Sequence, residues 1–78
     1  MEPILGSILL VPFAWAPRGW LSCDGRLLSI TQNAALYSLL GAQFGGDGLT
    51  TFALPKLIAP AENTHYIIAV EGIYPPRP

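Results

Sequence analysis

The feature that most constrains this chain is a long stretch without any charged side chain, from Leu27 to Gly46. Of the 78 residues, 51% are hydrophobic and 12% are charged, against about 25% charged residues in typical soluble domains. The single cysteine excludes an intramolecular disulfide, and small domains without such cross-links often depend on oligomerisation. The sequence therefore predicts more apolar surface than one small core can cover.

The uncharged stretch contains the pattern of a helix. Ser29 and Gln32 have the spacing of a capping box, which predicts a helix that begins at Ile30 or Thr31 and ends at Leu40, before a glycine. The predicted apolar stripe of this helix consists of Ala35, Leu36, Leu39 and Leu40. Because the helix has no charged face, it needs cover from its own domain or from a neighbouring subunit, and both remain open.

Two extended regions are predicted before the helix. The run Ile4–Phe13 is rich in Ile, Leu and Val, which indicates a mostly buried strand with Pro12 at its end or on an edge. Asp24-Gly25 predicts a type I′ hairpin, because that turn needs positive φ at both central residues. The arms of this hairpin would be Trp20–Cys23 and Arg26–Leu28.

The second half of the chain predicts two more strands and a stiff tail. Residues 50–54 follow a tight glycine-rich turn, His65–Glu71 is the predicted last strand, and residues 56–64 between them form a loop. Three of the last four residues are prolines, so the tail cannot continue a sheet. These elements predict an α+β fold, a small β-rich domain with one helix and four or five short strands, in a single domain over residues 1–78.

Charge and hydropathy argue against several partners. A net charge of −1 and four basic residues provide no electrostatic footprint for nucleic acid or an anionic membrane. The apolar run 4–15 is interrupted by Gly6, Ser7 and Pro12, and it is shorter than the ~20 residues of a spanning helix. Glu2 occupies a position where a secretory signal carries basic residues. We therefore expect no nucleic-acid partner, no membrane insertion and no classical signal peptide.

Reactive residue types are sparse. Cys23 and His65 are single residues of their kind, and a nucleophilic site would require them to meet beside a third group; a buried, inert thiol is the favoured interpretation of Cys23. Asp47 supplies one carboxylate, whereas calcium takes about six to eight oxygens. The remaining possibility for a metal site is three copies of His65 that meet on a threefold axis. The favoured interpretation is a histidine at the end of a strand that contacts Tyr66 or solvent. We expect no catalysis, metal or cofactor.

The aromatic residues offer one further function. Flat rings with a polar edge suit the apolar faces of sugars, and the chain has Trp15, Trp20, Tyr66 and Tyr74 in or near extended segments. Core packing is favoured for Trp20. Trp15 and Tyr74 are therefore the candidates for binding a cell-surface glycan.

Three motifs occur together in the core region, residues 17–57. They are W-x-x-C-D-G, S-x-x-Q-N-x-A-L-x-S-L-L-G and G-G-D-G-x-T-T-F-x-L-P, in this order. With them the chain resembles the phage tail collar domain, in the form found in microcystin-dependent-protein-like bacterial proteins and in short tail fibres of phages. The ending YIIAVEGIYPPRP is similar to the C-terminal strand and tail of those proteins, so residues 65–78 are interpreted as that strand and a proline-rich arm.

The resemblance implies a structural or adhesive role at the end of a fibre or tail, commonly as a trimer, with no catalytic activity. It also implies a location in a virion tail or in an extracellular particle or filament. Family members usually carry a long region containing Gly and His before the last strand, which is reduced here to residues 58–64. The histidine pairs that bind metal in some tail-fibre heads have no counterpart in this sequence.

We therefore predict a self-associating collar domain that has itself as its main partner, with other tail proteins or a cell-surface glycan as further partners. The predicted interface combines the first strand, the helix and the terminal arm, which could lie across a neighbour. Its residues are Ile4, Leu9, Val11, Leu36, Tyr37, Leu40, Ile73, Tyr74, Pro75 and Pro76.

Overall fold

A computed structural model of the chain describes residues 2–76. Within this range the chain forms β1 (Ile8–Val11), β2 (Trp20–Ser22), β3 (Leu27–Ser29), α1 (Ala34–Leu40), β4 (Thr51–Ala53) and β5 (His65–Ala69). One antiparallel sheet has the strand order β1, β5, β2, and a second pairs β3 with β4. The predicted α+β fold, with short strands and a single helix, is confirmed for the described residues.

The last strand occupies the centre of the larger sheet. Ile68 in β5 lies opposite Ile8 of β1 on one side and opposite Leu21 of β2 on the other. Because a strand flanks it on each side, Ile67, Ile68 and Ala69 are buried. The strand predicted over residues 65–71 is thus confirmed, although it ends two residues earlier, at Ala69.

The first strand is shorter and more exposed than the sequence predicts. A turn interrupts the run Ile4–Phe13, with Gly6 at a φ of +85° and the N–H of Ser7 donating to the carbonyl of Ile4 at 3.0 Å. Only Ile8–Val11 then forms a strand, at the edge of its sheet. The prediction of a mostly buried strand is wrong, because an edge strand lacks a neighbour on one side.

The predicted hairpin at Asp24-Gly25 is also wrong. Gly25 has a φ of +83°, but Asp24 is not among the residues with positive φ, so the turn is not type I′. The Asp24 carboxylate instead accepts the backbone N–H of Arg26 at 3.1 Å. The chain passes here from one sheet to the other, and β2 and β3 pair with different strands.

The helix starts later than predicted and ends where predicted. Ser29 belongs to β3, and its hydroxyl lies 3.0 Å from that of Thr31, so the predicted capping box does not form. Helix α1 begins after Asn33, which makes no side-chain capping bond. Its end is confirmed at Gly41, which has a φ of +64° and donates its N–H to the carbonyl of Tyr37 at 2.7 Å.

One hydrophobic core joins the two sheets and the helix. Its buried side chains come from α1, β4, β5 and the segments that flank strands, and half-buried neighbours such as Leu21, Leu28 and Tyr66 pack against it. The buried members are Leu5, Cys23, Leu36, Phe52, Leu54 and Ile68. Among residues 2–76 no polar or charged residue is buried, so this core depends on apolar contacts.

Candidate self-association surface

The edge strand β1 carries a run of three exposed apolar residues. Ile8, Leu9 and Leu10 are consecutive residues, and 42%, 49% and 44% of their respective surfaces are exposed. Val11, the last residue of the strand, is half-buried. Large contiguous apolar patches at the surface of a small protein mark interaction sites. Leu9 and Val11 from the predicted interface are therefore brought together on one edge strand.

The terminal arm returns to the first residues of its own chain. Ile73 donates its N–H to the carbonyl of Pro3 at 2.9 Å, and its own carbonyl accepts the N–H of Leu5 at 2.8 Å. This bridge places Ile73 beside Ile4 in parallel orientation, and both side chains are about half exposed. The structure thus joins two predicted interface residues that are far apart in the sequence.

Tyr74 extends this contact to the helix. Its hydroxyl lies 2.7 Å from Oγ of Ser38, and 41% of the residue remains exposed. Pro75 is half-buried and Pro76 is exposed. The end of the predicted arm, residues 77 and 78, lies outside the described residues.

The helix residues predicted for the interface face the core of their own subunit. Leu36 is 1% exposed, and Leu40 is half-buried against the core. The ring of Tyr37 packs on Phe52 with 5.3 Å between ring centroids, and its hydroxyl donates to the carbonyl of Gly48 at 3.3 Å. Leu36 in particular has no surface left for a neighbour, so we leave it out of the surface proposed below.

The two glycan candidates belong to different local environments. Trp15 is 66% exposed and packs beside Phe13, with 4.7 Å between ring centroids and an interplanar angle of 34°. Tyr74 contacts the helix through the hydrogen bond between its hydroxyl and that of Ser38. Among the described residues, Trp15 and Tyr74 do not form a ring pair with each other.

Cys23 and His65 do line one shallow pocket of about 230 Å³, together with apolar residues that include Leu57 and Ile58. The Cys23 residue is only 4% exposed. Burial raises the pKa of the Cys23 thiol, and the charge of Asp24 raises it further. The thiol is therefore kept in its protonated, poorly nucleophilic form, in agreement with the interpretation of Cys23 as a core residue.

Asp47 has a structural role within its glycine-rich turn. Its Oδ1 accepts the N–H groups of Leu49, Thr50 and Thr51 at 2.8, 2.8 and 2.9 Å, and its Oδ2 accepts the Thr50 hydroxyl at 2.8 Å. These donors hold the pKa of the Asp47 carboxyl far below its ordinary value. In the described part of the chain, no three His, Cys, Asp or Glu side chains are grouped as metal ligands.

The residues named individually for the predicted interface did not include Ile8 and Leu10, although the first strand as a whole was predicted to belong to it. Both were included in a strand predicted to be buried, because an uninterrupted apolar run indicates cover on both faces. The available signal was Pro12, since proline in or next to a strand favours an edge position. Exposed Leu49 and Ile58, at 84% and 89%, are further apolar residues that no periodicity identified.

Fold and surface together define a class: a small α+β domain whose main chemical feature is exposed apolar surface. The family model of the phage tail collar domain matches residues 6–60, which is more than half of the chain. The protein therefore belongs to the phage tail collar domain family, and the resemblance carried by the three motifs is confirmed.

This family is a structural family of phage tails. A comparison with curated proteins finds no match. Within residues 2–76, no helix combines the length and hydrophobicity that a membrane span requires.

Proposed function

We propose that this protein is a self-assembling structural component of a phage tail, a phage-tail-like particle or an extracellular filament. The observation that supports this proposal most directly is the large solvent-accessible area of the single subunit. The accessible area is 5298 Å², whereas a compact monomer of this mass has roughly 4,600 Å² by the usual scaling. The difference, roughly 700 Å², is close to the ~800 Å² that each partner contributes to a standard interface.

The chemistry of the exposed residues agrees with association. Among residues 2–76, twelve large hydrophobic residues are exposed, and one salt bridge forms, between Asp24 and Arg26. With so few charges, the surface has little to oppose the approach of identical subunits. Burying apolar surface between subunits stabilises an assembly by about 25 cal/mol for each Å² removed from water.

The terminal arm offers a second contact within this proposal. Its hydrogen bonds join Ile73 and Tyr74 to residues of the first segment and the helix, and an arm from a neighbouring subunit would find the same partners. Exchange of an identical element between protomers is a low-cost route to oligomers. Deletion of residues 74–78 should then reduce the mass of the assembly, and an unchanged mass would exclude exchange.

The proposed function is tested by the mass of the protein in solution. Light scattering on a sizing column, over a wide range of concentrations and followed by negative-stain microscopy, should show an oligomer. A closed trimer or hexamer would fit a collar or fibre tip, and long polymers would fit a filament subunit. A monomer at every concentration would contradict self-assembly.

Adhesion to a cell-surface glycan is a second candidate, favoured by the exposure of Trp15 beside Phe13. The Trp15 residue is 66% exposed, and an accessible indole ring provides a stacking platform for a sugar. Titration with array-selected glycans should change the tryptophan fluorescence of the wild type but not of Trp15→Ala. A Trp20→Phe control keeps Trp15 as the reporter. The absence of binding on an array would contradict this role.

A further inference from the structure

The backbone of β1 has a self-complementary free edge. Ser7 and Ala69 continue the register of β1 with β5, and Ala69 donates its N–H to the carbonyl of Ser7 at 2.9 Å. In an antiparallel pair, hydrogen-bonded and non-hydrogen-bonded positions alternate. Leu9 and Val11 therefore bond to β5, whereas the N–H and C=O groups of Ile8 and Leu10 point away from it.

The opposite side of β5 agrees with this assignment. Cys23 donates its N–H to the carbonyl of Tyr66 at 3.0 Å, so the even-numbered residues of β5 bond to β2 and the odd-numbered ones bond to β1. No backbone or side-chain bond from the described residues reaches the outward groups of Ile8 or Leu10. The edge thus presents two donors and two acceptors, framed by three exposed apolar side chains.

Natural sheets protect such edges with lysines, prolines, inward-pointing charges or a covering segment. This chain has no charged residue between Pro3 and Pro17. Pro12 follows the strand, but it does not occupy either outward position. An edge with free hydrogen-bonding groups and no charge is a template for another strand.

We propose that a second copy of this chain covers the edge, with the two β1 strands paired antiparallel about a twofold axis beside Leu9. This inference rests on the proposed self-assembly and names the contact that begins it. In this register Ile8 of each copy lies opposite Leu10 of the other, which forms four N–H···O=C bonds. The two three-stranded sheets then become one continuous six-stranded sheet.

Neighbouring registers make fewer bonds. Centring the axis on Ile8 places Leu10 opposite Gly6, whose N–H already donates to the carbonyl of Ala69 at 2.9 Å. Centring it on Leu10 places Ile8 opposite Pro12, which has no N–H to donate. The register centred on Leu9 is therefore the one that satisfies all the outward groups.

Such a contact is isologous, because the same strand is used by both copies, and it closes at two subunits. Larger particles then require a second surface, and a closed trimer, which has no twofold axis, would overturn this pairing while keeping self-assembly. This pairing also places the two Leu9 residues in a non-hydrogen-bonded pair, with Cα atoms about 4.5 Å apart, within the range of about 4.4 to 6.8 Å that a disulfide spans.

Cysteine cross-linking tests the register. In a Cys23→Ser background, Leu9→Cys should form a disulfide-linked dimer on mild oxidation, and an equimolar mixture of Ile8→Cys and Leu10→Cys should cross-link to each other more than either does alone. Leu49→Cys, at an 84% exposed position outside β1, is the matched control and should form no disulfide-linked dimer. Cross-linking of Leu49→Cys as rapid as that of Leu9→Cys would overturn the inference.

Charge at the axis tests the contact without oxidation. Leu9→Lys places two like charges directly opposite each other, and the dissociation constant of the dimer should rise at least about tenfold. Ile58→Lys, at an 89% exposed position outside β1, should leave it unchanged, and far-ultraviolet circular dichroism checks that both variants fold. An oligomer whose mass is unaffected by Leu9→Lys would overturn the β1 pairing but keep self-assembly, whereas a wild-type monomer at all concentrations would overturn both.

Discussion

The hydroxyl of Tyr74 lies 2.7 Å from Oγ of Ser38, which joins the terminal arm to the helix. Ser38 Oγ also donates to the carbonyl of Ala35 at 2.6 Å. Since a serine hydroxyl has one hydrogen to donate, Ser38 accepts from Tyr74 in this arrangement. This bond holds the arm against the helix, whereas the backbone hydrogen bonds of Ile73 hold the arm against residues 3–5.

Tyr74→Phe should destabilise the protein by about 0.5–1 kcal/mol, the lower part of the range for a hydrogen bond, because both residues are exposed. A double-mutant cycle with Ser38→Ala, measured by urea unfolding, should show that the two changes are not additive. If the arm contacts the helix of its own chain, the coupling energy between Tyr74 and Ser38 does not depend on protein concentration. A coupling that grows with concentration would show exchange instead.

The backbone of Gly46 lies so close to that of Phe52 that position 46 has no room for a side chain. A Cβ at residue 46 would lie 2.5 Å from Cα of Phe52 and 2.6 Å from the carbonyl oxygen of Thr51, and the φ of Gly46 is +88°. Gly46→Ala should therefore cost at least about 2–3 kcal/mol, from the strained backbone together with the clash.

Gly48→Ala is the matched control for this prediction. Gly48 also has a positive φ, of +72°, but a Cβ there would have only ordinary contacts, with Ala42 at 3.5 Å and Tyr37 at 4.0 Å. Gly48→Ala should therefore be destabilised only by the cost of a positive φ in a residue with a side chain, roughly 1–2 kcal/mol. If thermal unfolding shows the same loss of stability for both variants, the backbone near Phe52 shifts at little cost to accommodate the added Cβ.

Local features of this fold are predictable from the sequence, and strand partners are not. Gly41 ends the helix as predicted, because its positive φ is a property of that single residue. The glycine-rich turn before β4 is likewise encoded by adjacent residues. Asp24-Gly25 fails as a hairpin signal because β2 pairs with β5, more than forty positions later in the chain.

The same distinction applies to the candidate surface. The excess of apolar residues predicts association, but it does not show which of them remain exposed. Leu36 and Leu9 are equally apolar in the sequence, yet Leu36 lies in the core and Leu9 on a free edge. Leu9 lies on an edge because β5 takes the central position of its sheet, and this pairing of distant segments is not contained in any local pattern.

The Asp47 turn should make stability depend on pH. The depressed pKa of this carboxyl in the folded protein means that its stabilising effect is fully present above the ordinary value of 3.8, and is lost as the pH falls through the lower, folded pKa. Asp47→Asn should therefore lower the melting temperature at pH 7, and the difference from wild type should shrink between about pH 5 and pH 2.

Asp24→Asn is the control for this pH dependence. The bond from Arg26 lowers the pKa of Asp24 as well, but Asp24 and Arg26 are both exposed, at 49% and 43% of their side chains, and exposed ion pairs contribute little. Asp24→Asn should lower the melting temperature less at pH 7. A difference between Asp47→Asn and wild type that stays constant down to pH 2 would contradict the assignment of this effect to the carboxylate.

Cys23 should behave as a core residue and not as a nucleophile. Its burial and raised pKa leave little thiolate at pH 8, so a thiol reagent should modify the native protein at least about a hundredfold more slowly than the protein unfolded in guanidinium. Cys23→Ser should cost about 1–2 kcal/mol, because a hydroxyl replaces an apolar thiol in the core, and the oligomeric mass should not change. Rapid modification of the native thiol would contradict this assignment. It would direct attention to the pocket that Cys23 shares with His65, where an accessible thiolate beside an imidazole would be a reactive pair.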